Sequence, residues 1–270
     1  MVKSNIGQPR GILNQQAGEK KFQLALHAPA QDLVFFVEHY WIVTWDLRKQ
    51  EPYLSEILPH PCVHLVIEQD RSYIVGVMTK KFSYLLKDKG RVFGIKFRPG
   101  AFYPFIQTPL SQLTDHTIAL TDAFGAEGQT LEEAMLAQED EGGMVACAES
   151  FLRARLPAWD ENIILITRII DRISTRCAIT RVDEVASQLH LNTRMLQRLF
   201  SQYVGVTPKW VIKRYRLHEA AERLGAGEVK DWAQLALDLG YFDQAHFIKE
   251  FKAIVGKAPA EYVHTLASDR

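Results

Sequence analysis

The chain has 270 residues, 47% of them apolar and 24% charged, with a formal net charge of zero. That composition excludes a disordered chain, and the length suits two domains of roughly 100–200 residues each. No apolar run approaches the roughly 20 residues of a membrane span, and Met1-Val2-Lys3-Ser4-Asn5 lacks the regions of a secretion signal, so a cytoplasmic protein with no membrane partner is expected.

The halves differ slightly in charge: residues 1–160 carry 16 Lys/Arg against 19 Asp/Glu, and residues 161–270 carry 16 against 13. Cys62, Cys147 and Cys177 are odd in number and scattered, which reads as reduced thiols rather than a disulfide framework.

In chain order, the first hundred residues are β-rich. Val34–Thr44, Ile57–Ile67, Tyr73–Val77 and Val92–Phe97 are dense in β-branched and aromatic residues and bounded by Pro, Gly and Asp. The Val34–His39 stretch also fits a short helix, since Leu33, Val37 and Trp41 fall at a spacing of four. The stretch Val63–Ile67 does not alternate, which predicts a strand buried on both faces. Short helices are predicted over Ala101–Ile106, Leu110–Leu113 and Leu131–Leu136, with loops over Gly125–Gly128 and Glu139–Gly143. A helix over Ala146–Leu156 stops at Pro157, and Pro157-Ala158-Trp159-Asp160 reads as the domain boundary. The expected division is therefore 1–157 and 160–268.

Everything beyond the boundary reads as helix. Glu161–Ser174 has a continuous isoleucine face, Val182–Leu189 is a short helix, and Asn192 or Thr193 caps a helix running to about Tyr203. Thr207-Pro208 opens a long helix to about Leu224, broken at Gly225-Ala226-Gly227-Glu228. Asp231–Leu239, a helix capped by Asp243 and running to Ile254, and Pro259–Leu266 complete the chain. The fold class is α+β: a mixed, β-rich front domain followed by an all-α domain.

The back half contains a duplication. Leu196, Phe200, Gly205 and Pro208 stand 51 positions before Phe247, Phe251, Gly256 and Pro259, and Arg198 and Lys249 keep the same offset. Upstream, Val185–Leu189 answers Leu235–Leu239, with one extra residue in the second turn at Gly240-Tyr241-Phe242. A short helix, a tight turn and a second helix closed by Gly form a helix-turn-helix unit, so two units are predicted over 181–205 and 231–256.

A recognition helix needs one face for the core and another free to hydrogen-bond base edges or phosphates. In the first unit Leu196, Leu199 and Phe200 share the apolar face, and Arg194, Gln197 and Arg198 fall on the other. In the second, Phe247 and Phe251 are core, while Gln244, Ala245, His246 and Lys249 lie toward the opposite side. Between the units, Lys209, Lys213, Arg214 and Arg216 crowd one helix, either to meet phosphates or as an ordinary solvated face.

Residues from about 162 to 267 resemble the DNA-binding domain of the AraC/XylS family of bacterial transcription regulators. The resemblance rests on Gly240-Tyr241-Phe242-Asp243-Gln244-Ala245-His246-Phe247, Phe251-Lys252 and Gly256-Lys257-Ala258-Pro259. It implies seven helices and two recognition helices joined by a long one, entering successive major-groove turns on one face of double-stranded DNA. It also implies contact roles for Arg194, Gln197, Arg198, Gln244, Ala245 and Lys249. Ala258 stands where a small hydroxyl residue is common, and Lys249 where Arg is common, which weakens bidentate base reading there.

The front half resembles, less specifically, a domain attached to some members. The matching pieces are Glu38–Trp41, Leu58-Pro59 with Cys62–Leu65, and Gly94–Ala101. Front domains in the family bind small effectors or mediate dimers, so a small-molecule effector, a second copy of the chain and RNA polymerase join DNA as candidate partners.

His60, Cys62 and His64 alternate along the predicted strand and are competent metal ligands, but no fourth ligand is evident, and packing is the stronger reading. Arg98 suits either a carboxylate effector or a structural pair with Glu56 or Glu68; Tyr40, Trp41 and Trp45 suit either a pocket wall or core. Ser55, Glu56, His60 and His64 match no catalytic motif, so no enzyme, catalytic residue, metal or cofactor is expected.

Overall fold

In the computed structural model of the protein, residues 11, 13, 18–69, 71–175, 179–229 and 231–268 are described; Met1–Asn5 and Cys177 fall outside them. The described residues of the front half form eight strands: β1 Gln23–His27, β2 Val37–Asp46, β3 Tyr53–Ile57, β4 His64–Ile67, β5 Tyr73–Val75, β6 Phe82–Leu86, β7 Lys89–Phe97 and β8 Thr117–Ala119. They form a six-stranded sheet ordered β1-β2-β7-β4-β5-β8 and a two-stranded ribbon of β3 and β6, every pair antiparallel.

Period-two alternation assigns the faces of the large sheet. Tyr40 and Ile42 on β2, with Phe93 and Ile95 on β7, pack into the main core. Trp41, Val43 and Trp45 face the ribbon instead. Each tryptophan lies against a glycine of β7: Trp41 is in register with Gly94, Trp45 with Gly90, and a Cβ on either glycine would overlap the indole.

Helices cover the other face: α1 Tyr103–Ile106, α2 Leu120–Phe124, α3 Ala126–Leu136 and α4 Glu141–Arg153. The described residues of the back half form seven: α5 Glu161–Thr175, α6 Val182–Gln188, α7 Thr193–Tyr203, α8 Pro208–Gly225, α9 Trp232–Asp238, α10 Gln244–Val255 and α11 Pro259–Ser268. A β-rich front followed by a helical back is the expected class.

Several front-half expectations change. The Val34–His39 stretch is not a helix, since β2 starts at Val37. The predicted strand Ile57–Ile67 is two strands separated by an irregular loop, because Pro59 and Pro61 cannot donate to a ladder. Strands β1, β6 and β8 had no sequence expectation. Two predicted loops are largely helix: α3 starts at Ala126, and Asp140 caps α4 by accepting from Gly143 N at 2.8 Å.

The apolar core does not stop at residue 160. One cluster joins Phe97, Phe102 and Leu110 of the front half to Ile163, Ile166, Leu196, Phe200 and Val211 behind it. Gln202 Nε2 donates to Tyr103 Oη at 2.6 Å, and Thr114 Oγ1 donates to the Gly205 carbonyl at 2.7 Å. The second helix-turn-helix unit has its own cluster of Leu217, Leu235, Phe247, Phe251 and Tyr262, which takes in Leu13 and Leu58.

Candidate nucleic-acid interface

The two helix-turn-helix units repeat each other at the level of single hydrogen bonds. In the first turn Leu191 N donates to Ala186 O at 2.8 Å; in the second, Tyr241 N donates to Ala236 O at 2.8 Å. His190 and Gly240 hold the equivalent left-handed position, at φ 53° and 71°. Asn192 then caps α7 by accepting from Arg194 N, and Asp243 caps α10 by accepting from His246 N. Gly205 and Gly256 follow the two helices at φ 96° and 83°.

Leu196, Leu199 and Phe200 of α7 are buried, and Arg194, Gln197 and Arg198 are exposed. In α10, Phe247 and Phe251 are buried, and Gln244, Ala245, His246 and Lys249 are exposed. His246 has company: its ring meets Tyr241 edge-on at 5.3 Å, and Nε2 lies 3.5 Å from Glu250.

The cations of the connecting helix α8 behave differently from those on α7 and α10. Lys213 pairs with Glu250 at 2.8 Å, tying α8 to α10. Arg216 donates to the Leu239 carbonyl, with its guanidinium 4.0 Å over the Tyr241 ring. Arg214 is 1% exposed and donates from Nε to the Pro59 carbonyl of the front half. Of the four, Lys209 alone is fully exposed. Among the described residues no ion pair involves Arg194, Arg198 or Lys249. Three of the four α8 cations are therefore engaged by other parts of the protein, whereas Arg194, Arg198 and Lys249 stay exposed.

A family model described as a helix-turn-helix domain matches residues 185–265, and another, described as a domain of unknown function (DUF6597), matches residues 25–119. The chain is similar to an uncharacterized HTH-type transcriptional regulator of Haemophilus influenzae, 30% identical over 81 residues that make up 30% of this chain and 27% of the relative. It is also similar to the XylDLEGF operon transcriptional activator 3 of Pseudomonas putida, 27% identical over 95 residues covering 34% and 28%. The back half carries an AraC-type helix-turn-helix domain.

The chain spans about a quarter of the length of those two relatives. Among solved structures it is similar to the C-terminal domain of AraT, a response regulator from Geobacillus stearothermophilus, at 26% identity and TM-score 0.34, covering 36% of this chain and 82% of that one. The AraC-type domain lies in α6 to α11.

In front of the AraC-type domain, a largely apolar cavity of about 240 Å³ lies between the six-stranded sheet and the ribbon. The register of β2, β7 and β4 sets His39, Lys96 and His64 side by side in one row facing it. Lys96 Nζ donates to Glu38 at 2.8 Å, and Trp41 Nε1 donates to His64 Nδ1 at 3.1 Å. That bond leaves the proton of a neutral His64 on Nε2. Trp41 and Trp45 line this cavity, whereas Tyr40 is core.

His60, Cys62 and His64 all line this cavity, but among the described residues no three His, Cys, Asp or Glu side chains are placed to hold a metal ion. The His60 ring turns toward Arg214 and meets His218 edge-on at 5.4 Å. Cys62 is buried and its thiol is pushed up to about 12 by desolvation. Arg98 pairs with neither Glu56 nor Glu68; it donates to the Val34 carbonyl at 2.7 Å, while Glu56 meets Lys81 and Glu68 meets Arg71 and Tyr84.

Burial, reinforced by Lys96, lowers His39 to about 4 and His64 to about 3. Unfolded histidines take up a proton near pH 6.5. Between pH 6.5 and 4 the unfolded chain therefore holds more protons, and stability falls as pH drops, by up to ~1.4 kcal/mol per pH unit for each ring. His39→Gln is expected to flatten that slope by about one proton in denaturant titrations across this range. An unchanged slope would show that His39 protonates freely in the folded state.

Proposed function

We propose that the chain is a sequence-specific, non-enzymatic DNA-binding regulator of transcription. Helices α7 and α10 enter successive major-groove turns of one duplex face. Arg194, Gln197 and Arg198 read the first turn, and Gln244, Ala245, His246 and Lys249 the second. Residues 160–268 form the DNA-binding domain, and residues 1–157 control it through a small effector or through dimerisation.

The observation that carries this reading is the contrast in charge use: Arg194, Arg198 and Lys249 are exposed beside matched buried faces, while Lys213, Arg214 and Arg216 are engaged inside the protein. Arg suits guanine O6 and N7, Gln suits adenine, and a small Ala admits a thymine methyl. The cavity supports control by a small, mostly apolar effector, since its wall and the contact to α8 share one loop: Pro59 and His60 line the cavity and meet Arg214.

Selection of the full-length chain on random duplex pools tests the reading. The expected result is two short enriched blocks about one helical turn, roughly 10 base pairs, apart. Pools that remain random through repeated selection would refute sequence-specific binding.

A further inference from the structure

Phe242 is 91% exposed, more than any other large apolar side chain among the described residues. Its place in the duplicated unit explains why it has no counterpart. Leu191 and Tyr241 are equivalent by their hydrogen bonds to Ala186 and Ala236, and Asn192 and Asp243 are equivalent as N-caps. In the first unit these two positions are adjacent. In the second, Phe242 stands between them, an inserted residue with its backbone in the turn and its ring in solvent.

The insertion sits at the entry of α10, three positions before exposed Ala245 and two before exposed Gln244. The N-terminal end of a recognition helix is the part that approaches base edges. Neighbouring Tyr241 and Phe247 are buried, so the local fold does not use the Phe242 ring. An exposed ring three positions before a small exposed Ala puts apolar surface at the entry of the proposed recognition helix. In the major groove the apolar feature is the C5-methyl group of thymine, and Phe and Ala are among the side chains that contact it. The first unit differs in kind, with Arg194, Gln197 and Arg198 exposed and no inserted aromatic.

We propose that Phe242, with Ala245 beside it, reads thymine methyl groups in the half of the site that faces α10. The second unit then adds apolar contact to the hydrogen bonds of Gln244, His246 and Lys249, where the first unit relies on hydrogen bonds alone. This inference rests on the proposed DNA-binding function, and its test separates the two.

The site enriched by the full-length chain is synthesised with thymine and with deoxyuridine at each thymine of the second block, which removes only the methyl. Wild type is expected to lose about fourfold in affinity at one of those positions, the value of burying one methyl-sized group. Phe242→Ala is expected to bind the thymine site about as weakly as wild type binds the deoxyuridine site, to show no further loss on the substitution, and to keep the wild-type salt slope, because no phosphate contact changes.

Thermal melting of Phe242→Ala is expected to match wild type, since the ring is 91% exposed. A variant that loses as much affinity on deoxyuridine substitution as wild type overturns the role of Phe242 and leaves the DNA-binding reading intact. A variant with wild-type DNA affinity that fails only in transcription overturns that role in the same way, and would mark a protein contact. If wild type enriches no sequence, the interface and the role of Phe242 fall together.

Discussion

Replacing Arg214 by alanine is expected to lower the thermal unfolding midpoint by roughly 6–12 °C, at about 2–4 °C per kcal/mol for a chain of this size. The side chain is 1% exposed and reaches from α8 into the front half. Its Nε donates to Pro59 O, its Nη2 lies 3.1 Å from both ring nitrogens of His60, and its guanidinium sits 4.6 Å over the Tyr215 ring. Truncation strands a buried carbonyl, worth about 1–3 kcal/mol, and leaves a void that neighbouring side chains only partly fill. Together these come to about 3 kcal/mol. Arg214→Lys retains the charge but not the planar fork, so it is expected to fall between wild type and alanine. Scanning calorimetry of the three proteins checks this order, and an alanine variant melting within about 2 °C of wild type would remove Arg214 from the packing between the halves.

The second large effect concerns DNA. Arg198→Ala combined with Lys249→Ala is expected to weaken binding to the selected site on the order of a hundredfold, from roughly 1–3 kcal/mol at each contact. Both side chains are exposed and, among the described residues, unpaired, so the folded state loses nothing and melting is expected to stay unchanged. Arg198→Ala alone is expected to relax preference at one base position of the first block. Lys249→Ala alone is expected to relax preference at one base position of the second block. Titrations at several salt concentrations, on the selected site and on a scrambled one, separate these outcomes. A double variant with wild-type affinity and preference on both sites would remove these two residues from the interface.

Much of this architecture was legible in the residues alone. Matched Leu196 and Phe247, Phe200 and Phe251, Gly205 and Gly256 declare the duplicated units, because helix periodicity, N-caps and left-handed C-terminal glycines act within a few residues of themselves. The seven back-half helices accordingly lie close to their expected bounds. The exposed faces of α7 and α10 follow from the same periodicity, since the side of a helix opposite a buried stripe faces outward unless something covers it.

The front half was less legible. Strand pairing is non-local, and β1, β6 and β8 become strands through partners far away in the sequence. No local signal could reveal that His39, Lys96 and His64 form one row, because the row exists only in the register of three strands. The cations of α8 show the same division. Their positions on a helix follow from the sequence, but Lys213, Arg214 and Arg216 read there as one basic cluster. Their partners Glu250, Pro59 and Leu239 lie 37, 155 and 23 positions away. The helices, their caps and the two-fold repeat follow from the residues alone, since all of them depend on short-range forces. Which charges are engaged within the protein and which remain outside depends on long-range packing and so emerges with the folded chain.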